Sequence, residues 1–266
     1  MFFNRENLRR VIVAAIALPL FYLYITKLPP VFFFLLLILI SVIAQVEFHS
    51  MYKTKKIISF IGAAGGVLLF FSSFGTQDSG FSHWPFTFAF MLISTVRLFL
   101  IKDPSASLNN IAPAVISFFY IPTLLISQWY LMQKGYEWIL FLYGCVWASD
   151  SFAYFIGKSV GKRKLYKEVS PNKTVVGAFG SVAGGILSAL LLGDLLLKGM
   201  GLPALIVMGF SIGSVTIVGD LVESMFKRDA GVKDSGSFIP GHGGVLDKID
   251  GVLFAGPVLY WITLML

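Results

Sequence analysis

The stretch from residue 30 to residue 48 reads PVFFFLLLILISVIAQVEF. A helix of that length rises about 28 Å, close to the roughly 30 Å of a bilayer's hydrocarbon core. Similar apolar runs recur along the 266-residue chain, which is 56% hydrophobic and only 13% charged. Soluble domains carry about 25% charged residues, and one soluble core could not bury so many apolar helices. The sequence therefore predicts an all-α, polytopic integral membrane protein.

The hydropathy pattern predicts about nine transmembrane helices, near residues 9–27, 30–48, 57–74, 84–101, 111–132, 136–157, 175–197, 202–226 and 249–266. Arg9 and Arg10 precede the first apolar run, as they would in a signal peptide, but no small-residue cleavage site follows. We therefore interpret this run as a retained helix. Two connections, residues 158–174 and 227–248, are long and polar.

Lysine and arginine divide unequally between the two sides of this arrangement. If the N-terminus is cytosolic, 17 of the 21 lie in cytosolic segments, and Arg97 lies near the cytosolic end of its span. Only Lys27, Lys134 and Lys198 lie on the other side. The positive-inside rule therefore predicts a cytosolic N-terminus and an outside C-terminus. We assign the net charge of +7 to this bias and to anionic headgroups or phosphate substrates, and expect no nucleic-acid partner.

Three spans contain glycines four residues apart, a spacing that lets helix backbones approach closely in lipid. These pairs are Gly62 and Gly66, Gly180 and Gly184, and Gly209 and Gly213. We expect them to pack within one chain rather than along a dimer-specific seam.

Several carboxylates lie where the membrane makes charge unfavourable. Asp150, Asp220 and Glu223 lie inside apolar spans, in their cytosolic halves, and such groups are functional candidates by default. Asp220 and Glu223 are three residues apart on one helix face, and Asp247 and Asp250 repeat that spacing. Two such pairs could form an all-oxygen site for Mg²⁺. An equally weighted alternative is structural ion pairing with nearby cations, which are Lys227, Arg228 and Lys248.

The segment between these pairs is rich in glycine. It contains KDSG at residues 233–236 and IPGHGG at 239–244, directly before a predicted helix. Backbone N–H groups at a helix N-terminus suit phosphate. Together with the carboxylates and cations, this pattern indicates a nucleoside triphosphate site, although the chain contains no Walker P-loop motif.

The same segment resembles a known family signature. SMFKR at 224–228, Lys233-Asp234 and IPGHGGVLDKID at 239–250 are similar to the signature of phosphatidate cytidylyltransferases, also called CDP-diacylglycerol synthases. WASDSFAYF at 147–155 and SPNKT at 170–174 resemble the family's upstream blocks. The family usually has Arg where this chain has Lys248, which keeps the charge but loses bidentate phosphate contact.

The resemblance implies that CTP and phosphatidic acid react to give CDP-diacylglycerol and pyrophosphate, with Mg²⁺ and room for a second metal ion. It also implies a homodimeric membrane enzyme. The charge count places both polar loops on the cytosolic side, where CTP is available, so we expect an active site that faces the cytosol at the cytoplasmic (inner) membrane. Residues 1–140 would then form a scaffold that could carry dimer contacts. Residues 141–266 would form the catalytic region with both polar loops.

We expect direct attack by the lipid phosphate on the α-phosphorus of CTP, promoted by positioning and charge neutralisation. His242 is expected to position phosphate rather than react. The predicted catalytic residues are Asp150, Asp220, Lys227, Arg228, Lys233, Asp234, His242, Asp247 and Asp250. The predicted substrate contacts are Ser149, Asn172, Lys173, Gly241, Gly243, Gly244 and Lys248. The predicted metal ligands are Asp220 and Asp247, with Glu223 and Asp250 as further ligands or supporting groups.

Two other functions fit parts of the pattern. One is a CTP-dependent synthase or kinase for another lipid, such as an isoprenoid ether. The other is an ion-coupled transporter, which would also carry carboxylates in its spans, although usually near the midplane of two related halves.

Overall fold

A computed structural model describes residues 18–74, 84–101, 103–237 and 243–266. Helix α1 covers residues 18–27 of this part of the chain. The helices that follow are α2 (Pro30–Met51), α3 (Lys56–Ser73), α4 (Trp84–Leu100), α5 (Ser107–Tyr120), α6 (Pro122–Lys134), α7 (Tyr136–Val160), α8 (Val175–Leu196), α9 (Leu202–Asp229) and α10 (Leu246–Met265). Between α7 and α8, strands β1 (Lys164–Tyr166) and β2 (Ser170–Thr174) pair antiparallel, with Lys164 opposite Thr174.

The prediction of an all-helical, polytopic membrane protein is confirmed. Seven helical segments of the described chain are long and apolar enough to cross a bilayer, and α4 is a shorter apolar helix of 17 residues. The predicted span 9–27 lies partly outside the described residues, so the count of nine stays a prediction. The predicted span 111–132 consists of α5 and α6, which are separate at Ile121 because Pro122 has no N–H to continue the helix.

The polar connections meet at one end of the bundle. Tyr52, just after α2, donates a hydrogen bond to Asp229 at the end of α9 (2.9 Å). Burial and this bond to Asp229 raise the pKa of Tyr52 above its usual range. Arg228 donates from Nε to the Val169 carbonyl of the hairpin (3.2 Å). The segment after α2, the end of α9 and the hairpin therefore lie at the same end of the bundle. The charge pattern assigned all three to the cytosol, and that orientation stays a prediction.

Close backbone contacts hold α7, α8 and α9 together. A Cβ atom at Gly213 on α9 would lie 2.6 Å from the Ser181 carbonyl of α8, and the Ser181 hydroxyl donates to the Gly213 carbonyl at 2.8 Å. On its other side, α8 packs against α7, since a Cβ at Gly184 would lie 2.8 Å from Phe152 Cβ. In α3, a Cβ at Gly66 would lie 2.7 Å from Gln45. The predicted glycine pairs therefore pack within the chain.

One apolar core contains side chains from both sides of the predicted boundary at residue 140. Its fully buried members come from both predicted regions and include Leu37, Leu125, Leu142, Met208 and Leu253. The division into scaffold and catalytic regions therefore stays a prediction about roles, because the two regions bury their apolar side chains together.

We expect Gly213→Ala to lower the free energy of unfolding by about 2 kcal/mol, because an added methyl group forces α8 and α9 apart. Thermal unfolding in detergent measures the effect. Gly201→Ala is the matched control: its φ is −67°, and its Cβ would meet only Pro203, at 3.7 Å. Equal unfolding midpoints for the two variants would contradict this packing.

The predicted orientation can be tested by introducing one cysteine at a time and labelling it from outside the cell. In intact cells, a membrane-impermeant maleimide should label Lys198→Cys, whereas Lys167→Cys should react only after permeabilisation. The unsubstituted chain provides the blank, because its one cysteine, Cys145, is fully buried. The reverse labelling pattern would show that the true topology is the inverse of the predicted one.

Candidate active site

Helices α9 and α10 meet backbone to backbone beside the predicted carboxylates. A Cβ at Gly219 would lie 2.5 Å from the Asp250 carbonyl oxygen, and one at Gly251 would lie 2.9 Å from Thr216 Cγ2. Only glycine at position 219 permits this approach, and the next residue is Asp220. The contact therefore brings the acidic face of α9 against the first turns of α10.

Three carboxylates converge at this crossing. Asp220, Glu223 and Asp250 each offer one oxygen, and these atoms all lie within 4.8 Å of one another. Glu223 is fully buried, and the other two are half-buried. Carboxylate oxygens are the ligands that hard divalent cations prefer. The chemistry and spacing of these three residues therefore fit a metal ion.

Two lysines also contact the acidic groups. Lys227 Nζ contacts Glu223 and lies 2.6 Å from Asp247 Oδ1. Lys173 Nζ, from the hairpin, lies 2.6 Å from Asp220 Oδ2. Ion pairing, the alternative to metal binding, is therefore present, and it involves Lys227 and Lys173 rather than Arg228 and Lys248.

The acidic groups near this crossing outnumber these two lysines. Asp150 on α7 lies within electrostatic range of Asp220 and Lys173, and Asp250 lies within range of Asp150. Five carboxylates, on α7, α9 and α10, therefore lie in the neighbourhood of two ammonium groups. Carboxylates at membrane depth are unfavourable as free anions, and a further cation could bind the groups that the two lysines do not pair.

Asp247 makes the predicted ion pair with Lys227 and also accepts hydrogen bonds from the loop before α10. Its Oδ2 accepts hydrogen bonds from the Ser235 N–H (3.0 Å), the Ser235 hydroxyl (2.9 Å) and the Gly244 N–H (2.7 Å). Its Oδ1 accepts from Lys227 (2.6 Å). Asp247 therefore organises the loop before α10, and it lies outside the three-carboxylate group. Its assignment as a metal ligand stays a prediction.

The glycine-rich loop is described in part. Gly241 and His242 lie outside the described residues, so their predicted phosphate contacts stay predictions. Gly243 has a φ of +88°, which favours glycine. The backbone N–H of Gly244, which we expected to bind phosphate, donates a hydrogen bond to Asp247 instead. A phosphate oxygen would have to replace that carboxylate.

The remaining predicted residues differ in their contacts and in their exposure. Arg228 donates to the carbonyls of Val169 (3.2 Å) and Val232 (2.9 Å), which ties the hairpin to the second polar loop. Ser149 is fully buried, and its hydroxyl has no hydrogen-bond partner among the described residues. The predicted residues with exposed side chains are Asp150, Asn172, Arg228, Lys233, Asp234 and Lys248.

Sequence reasoning missed Glu47. This residue is on α2, is only 8% exposed and accepts hydrogen bonds from the backbone N–H groups of Val245 and Leu246. The available signal was its position as the one charged residue in the apolar stretch 30–48. The rule that identified Asp150 and Glu223 applies equally to it.

Comparison with known proteins extends these observations. The model of the cytidylyltransferase family matches residues 8–266. A phosphatidate cytidylyltransferase of Bacillus subtilis (strain 168) is 36% identical over 264 residues, 94% of each chain. Uncharacterized protein YnbB of Escherichia coli (strain K12) is 38% identical over 181 residues, 65% of this chain and 59% of that one. A phosphatidate cytidylyltransferase of Synechocystis sp. is 44% identical over 124 residues, 47% of this chain and 42% of that one.

Removing the Lys227 ammonium should destabilise the protein. In Lys227→Met, the buried Glu223 loses its counter-ion, and breaking a buried pair costs about 3 kcal/mol or more. Thermal unfolding in detergent measures the loss. The double variant Lys227→Met/Glu223→Gln should recover most of it, because the buried charge is also removed.

Lys167→Met is the control for this experiment, since Lys167 is exposed in the hairpin and should leave the unfolding midpoint unchanged. If Lys227→Met unfolds at the wild-type midpoint, the ion pair does not stabilise the crossing of α9 and α10.

Proposed function

Because this chain belongs to the cytidylyltransferase family, we propose that it is a phosphatidate cytidylyltransferase. The reaction joins CTP and phosphatidic acid to give CDP-diacylglycerol and pyrophosphate. The observation that carries the proposal is the cluster of Asp220, Glu223 and Asp250 with Lys173 and Lys227, at the polar end of a membrane-embedded bundle. Such a site can bind a charged nucleotide at the membrane surface while the lipid remains in the bilayer.

The chemistry is a nucleotidyl transfer. An oxygen of the lipid phosphate attacks the α-phosphorus of CTP, a new P–O bond forms, the bond to the β-phosphate bridging oxygen breaks, and pyrophosphate leaves. Phosphate monoesters are largely ionised near neutral pH, so no strong general base is needed. Catalysis then depends on positioning and on neutralising negative charge.

This chain's own residues divide that work. Lys173 and Lys227, which pair with carboxylates in this structure, would exchange to phosphate oxygens when the nucleotide binds. Mg²⁺ held by Asp220, Glu223 and Asp250 would supply charge neutralisation for the triphosphate. Asp247 would keep the loop before α10 in place. Arg228 would hold the two polar loops together, because it donates hydrogen bonds to a carbonyl of the hairpin and to a carbonyl of the second loop.

The remaining predicted roles are part of the same proposal. We assign phosphate contact to the loop glycines and His242, and a second metal ion remains compatible with Asp247 and Asp150 nearby. The substrate contacts outside that loop are Ser149, Asn172, Lys173 and Lys248. Lys233 and Asp234 would act from the rim of the site.

The arrangement in the cell also belongs to the proposal. Nine crossings with a cytosolic N-terminus would place the carboxylate cluster at the cytosolic face of the cytoplasmic membrane, where CTP is available. The relatives named above are bacterial proteins, which supports the inner membrane as the location. A homodimer is the assembly that the family resemblance implies.

An ion-coupled transporter is less well supported. Its binding groups would be expected near the bilayer midplane, between related halves. Here the carboxylates contact the hairpin and the loop at one end of the bundle. A CTP-dependent enzyme acting on a different lipid phosphate would use the same site, so the identity of the lipid is decided by experiment.

Purified protein in detergent should release pyrophosphate when CTP, Mg²⁺ and phosphatidic acid are all present. Chelation by EDTA should abolish release, and added Mg²⁺ should restore it. Asp220→Asn and Asp247→Asn should each lower the rate by about 100-fold or more, because charge stabilisation at a phosphoryl centre is lost. A coupled pyrophosphate assay measures the rate.

Lys167→Met serves as the activity control, since Lys167 is exposed and lies outside the proposed site. Release with an isoprenoid-ether lipid phosphate but not with phosphatidic acid would change the substrate class. No release with any lipid phosphate, from protein that remains folded, would overturn the cytidylyltransferase proposal.

A further inference from the structure

The first turn of α10 is capped by a side chain from a distant helix. A helix N-terminus leaves backbone N–H groups without partners and carries partial positive charge. Within the described residues, no side-chain cap is provided by Val245, the cap position of α10. Instead Glu47 Oε1 accepts from the Val245 N–H and Glu47 Oε2 from the Leu246 N–H, both at 2.9 Å. Each carboxylate oxygen therefore has its own N–H donor.

Two loop glycines pack directly against this carboxylate. A Cβ at Gly236 would lie 2.8 Å from Glu47 Oε1, and one at Gly244 would lie 2.5 Å from Glu47 Oε2. Any larger residue would displace the carboxylate or the loop. Glycine is therefore required at position 244 because the Glu47 carboxylate leaves no room for a side chain, whether or not this residue binds phosphate.

Ser235 links this cap to the acidic centre. Its hydroxyl lies 3.3 Å from Glu47 Oε2 and 2.9 Å from Asp247 Oδ2. A hydroxyl has one proton to donate, so the two carboxylates share one donor. Asp247 in turn pairs with Lys227, which contacts Glu223. A continuous chain of polar contacts therefore connects α2 with the carboxylates of α9 and α10.

We propose that Glu47 is a positioning residue of the active site. It fixes the first turn of α10, and thereby the positions of Asp247, which follows Leu246 directly, and Asp250, one turn further on. The inference rests on the proposed function for its kinetic test. It gives the N-terminal helices a direct part in forming the site, in addition to any role as a scaffold.

The substitution Glu47→Gln tests this role with little change in size. Glutamine offers one acceptor oxygen, and its NH₂ group would face the second backbone N–H donor. Losing such a hydrogen bond should speed hydrogen–deuterium exchange in residues 244–250 about tenfold, measured by mass spectrometry without metal or nucleotide. The Mg²⁺ concentration for half-maximal pyrophosphate release should rise about tenfold as well, because the carboxylates of α10 are held less well.

His49→Gln is the matched control. His49 is two residues from Glu47 on α2, is 1% exposed and makes hydrogen bonds to Ser59 (2.8 Å) and Ser117 (2.6 Å) on α3 and α5. This variant should lower the unfolding midpoint, yet leave exchange in residues 244–250 and the Mg²⁺ response at wild-type values. Equal changes in both variants would mean general loosening and would overturn the proposal.

A wild-type exchange rate and Mg²⁺ response in Glu47→Gln would also overturn it. If Glu47→Gln does not fold, Ser235→Ala removes only the bridging hydroxyl, and the Mg²⁺ requirement should rise about threefold; an unchanged requirement would contradict the proposed connection. If the wild-type protein releases no pyrophosphate, the proposed function fails, whereas the exchange comparison still decides the role of Glu47.

Discussion

The ammonium group of Lys227 lies between Glu223 and Asp247, and the rest of the site depends on this contact. Glu223 is fully buried in a bundle that lies in a membrane, so its charge requires a partner within the protein. Lys227 provides that partner from the next turn of α9 and reaches across to α10 with the same group. One cation thus neutralises a buried carboxylate and joins the two helices that carry the acidic centre.

Asp247, one partner of Lys227, also holds the described ends of the loop before α10. Asp247 is held on one side by Lys227 and on the other by Ser235 and Gly244. The carboxylate of Glu47 then satisfies the N–H groups of the helix start. In the described part of this loop, Ser235 contacts two carboxylates, one from α10 and one from α2. Gly236 and Gly244 lie where the Glu47 carboxylate leaves no room for a side chain.

The arrangement also indicates how the site could respond to a nucleotide. Lysines and backbone N–H groups that would suit a triphosphate are engaged by carboxylates in this structure. Binding of CTP with a divalent cation would exchange these partners, with the cation taking the carboxylates and the phosphates taking the donors. Each ion pair that breaks would be replaced by another ion pair, which limits the electrostatic cost of the exchange.

The sequence by itself determined the membrane class, most helices and the acidic faces of α9 and α10, because composition, hydropathy and i, i+3 spacing act along one helix. The family followed from the resemblance of the motifs at 147–155, 170–174 and 224–250. Only the tertiary structure decided which carboxylates meet, since that depends on the approach of two backbones at Gly219. It likewise separated Asp247 from the three-carboxylate group and brought Glu47 to α10 across 198 residues of chain. Contacts between helices depend on packing geometry, which periodicity along a single helix does not encode.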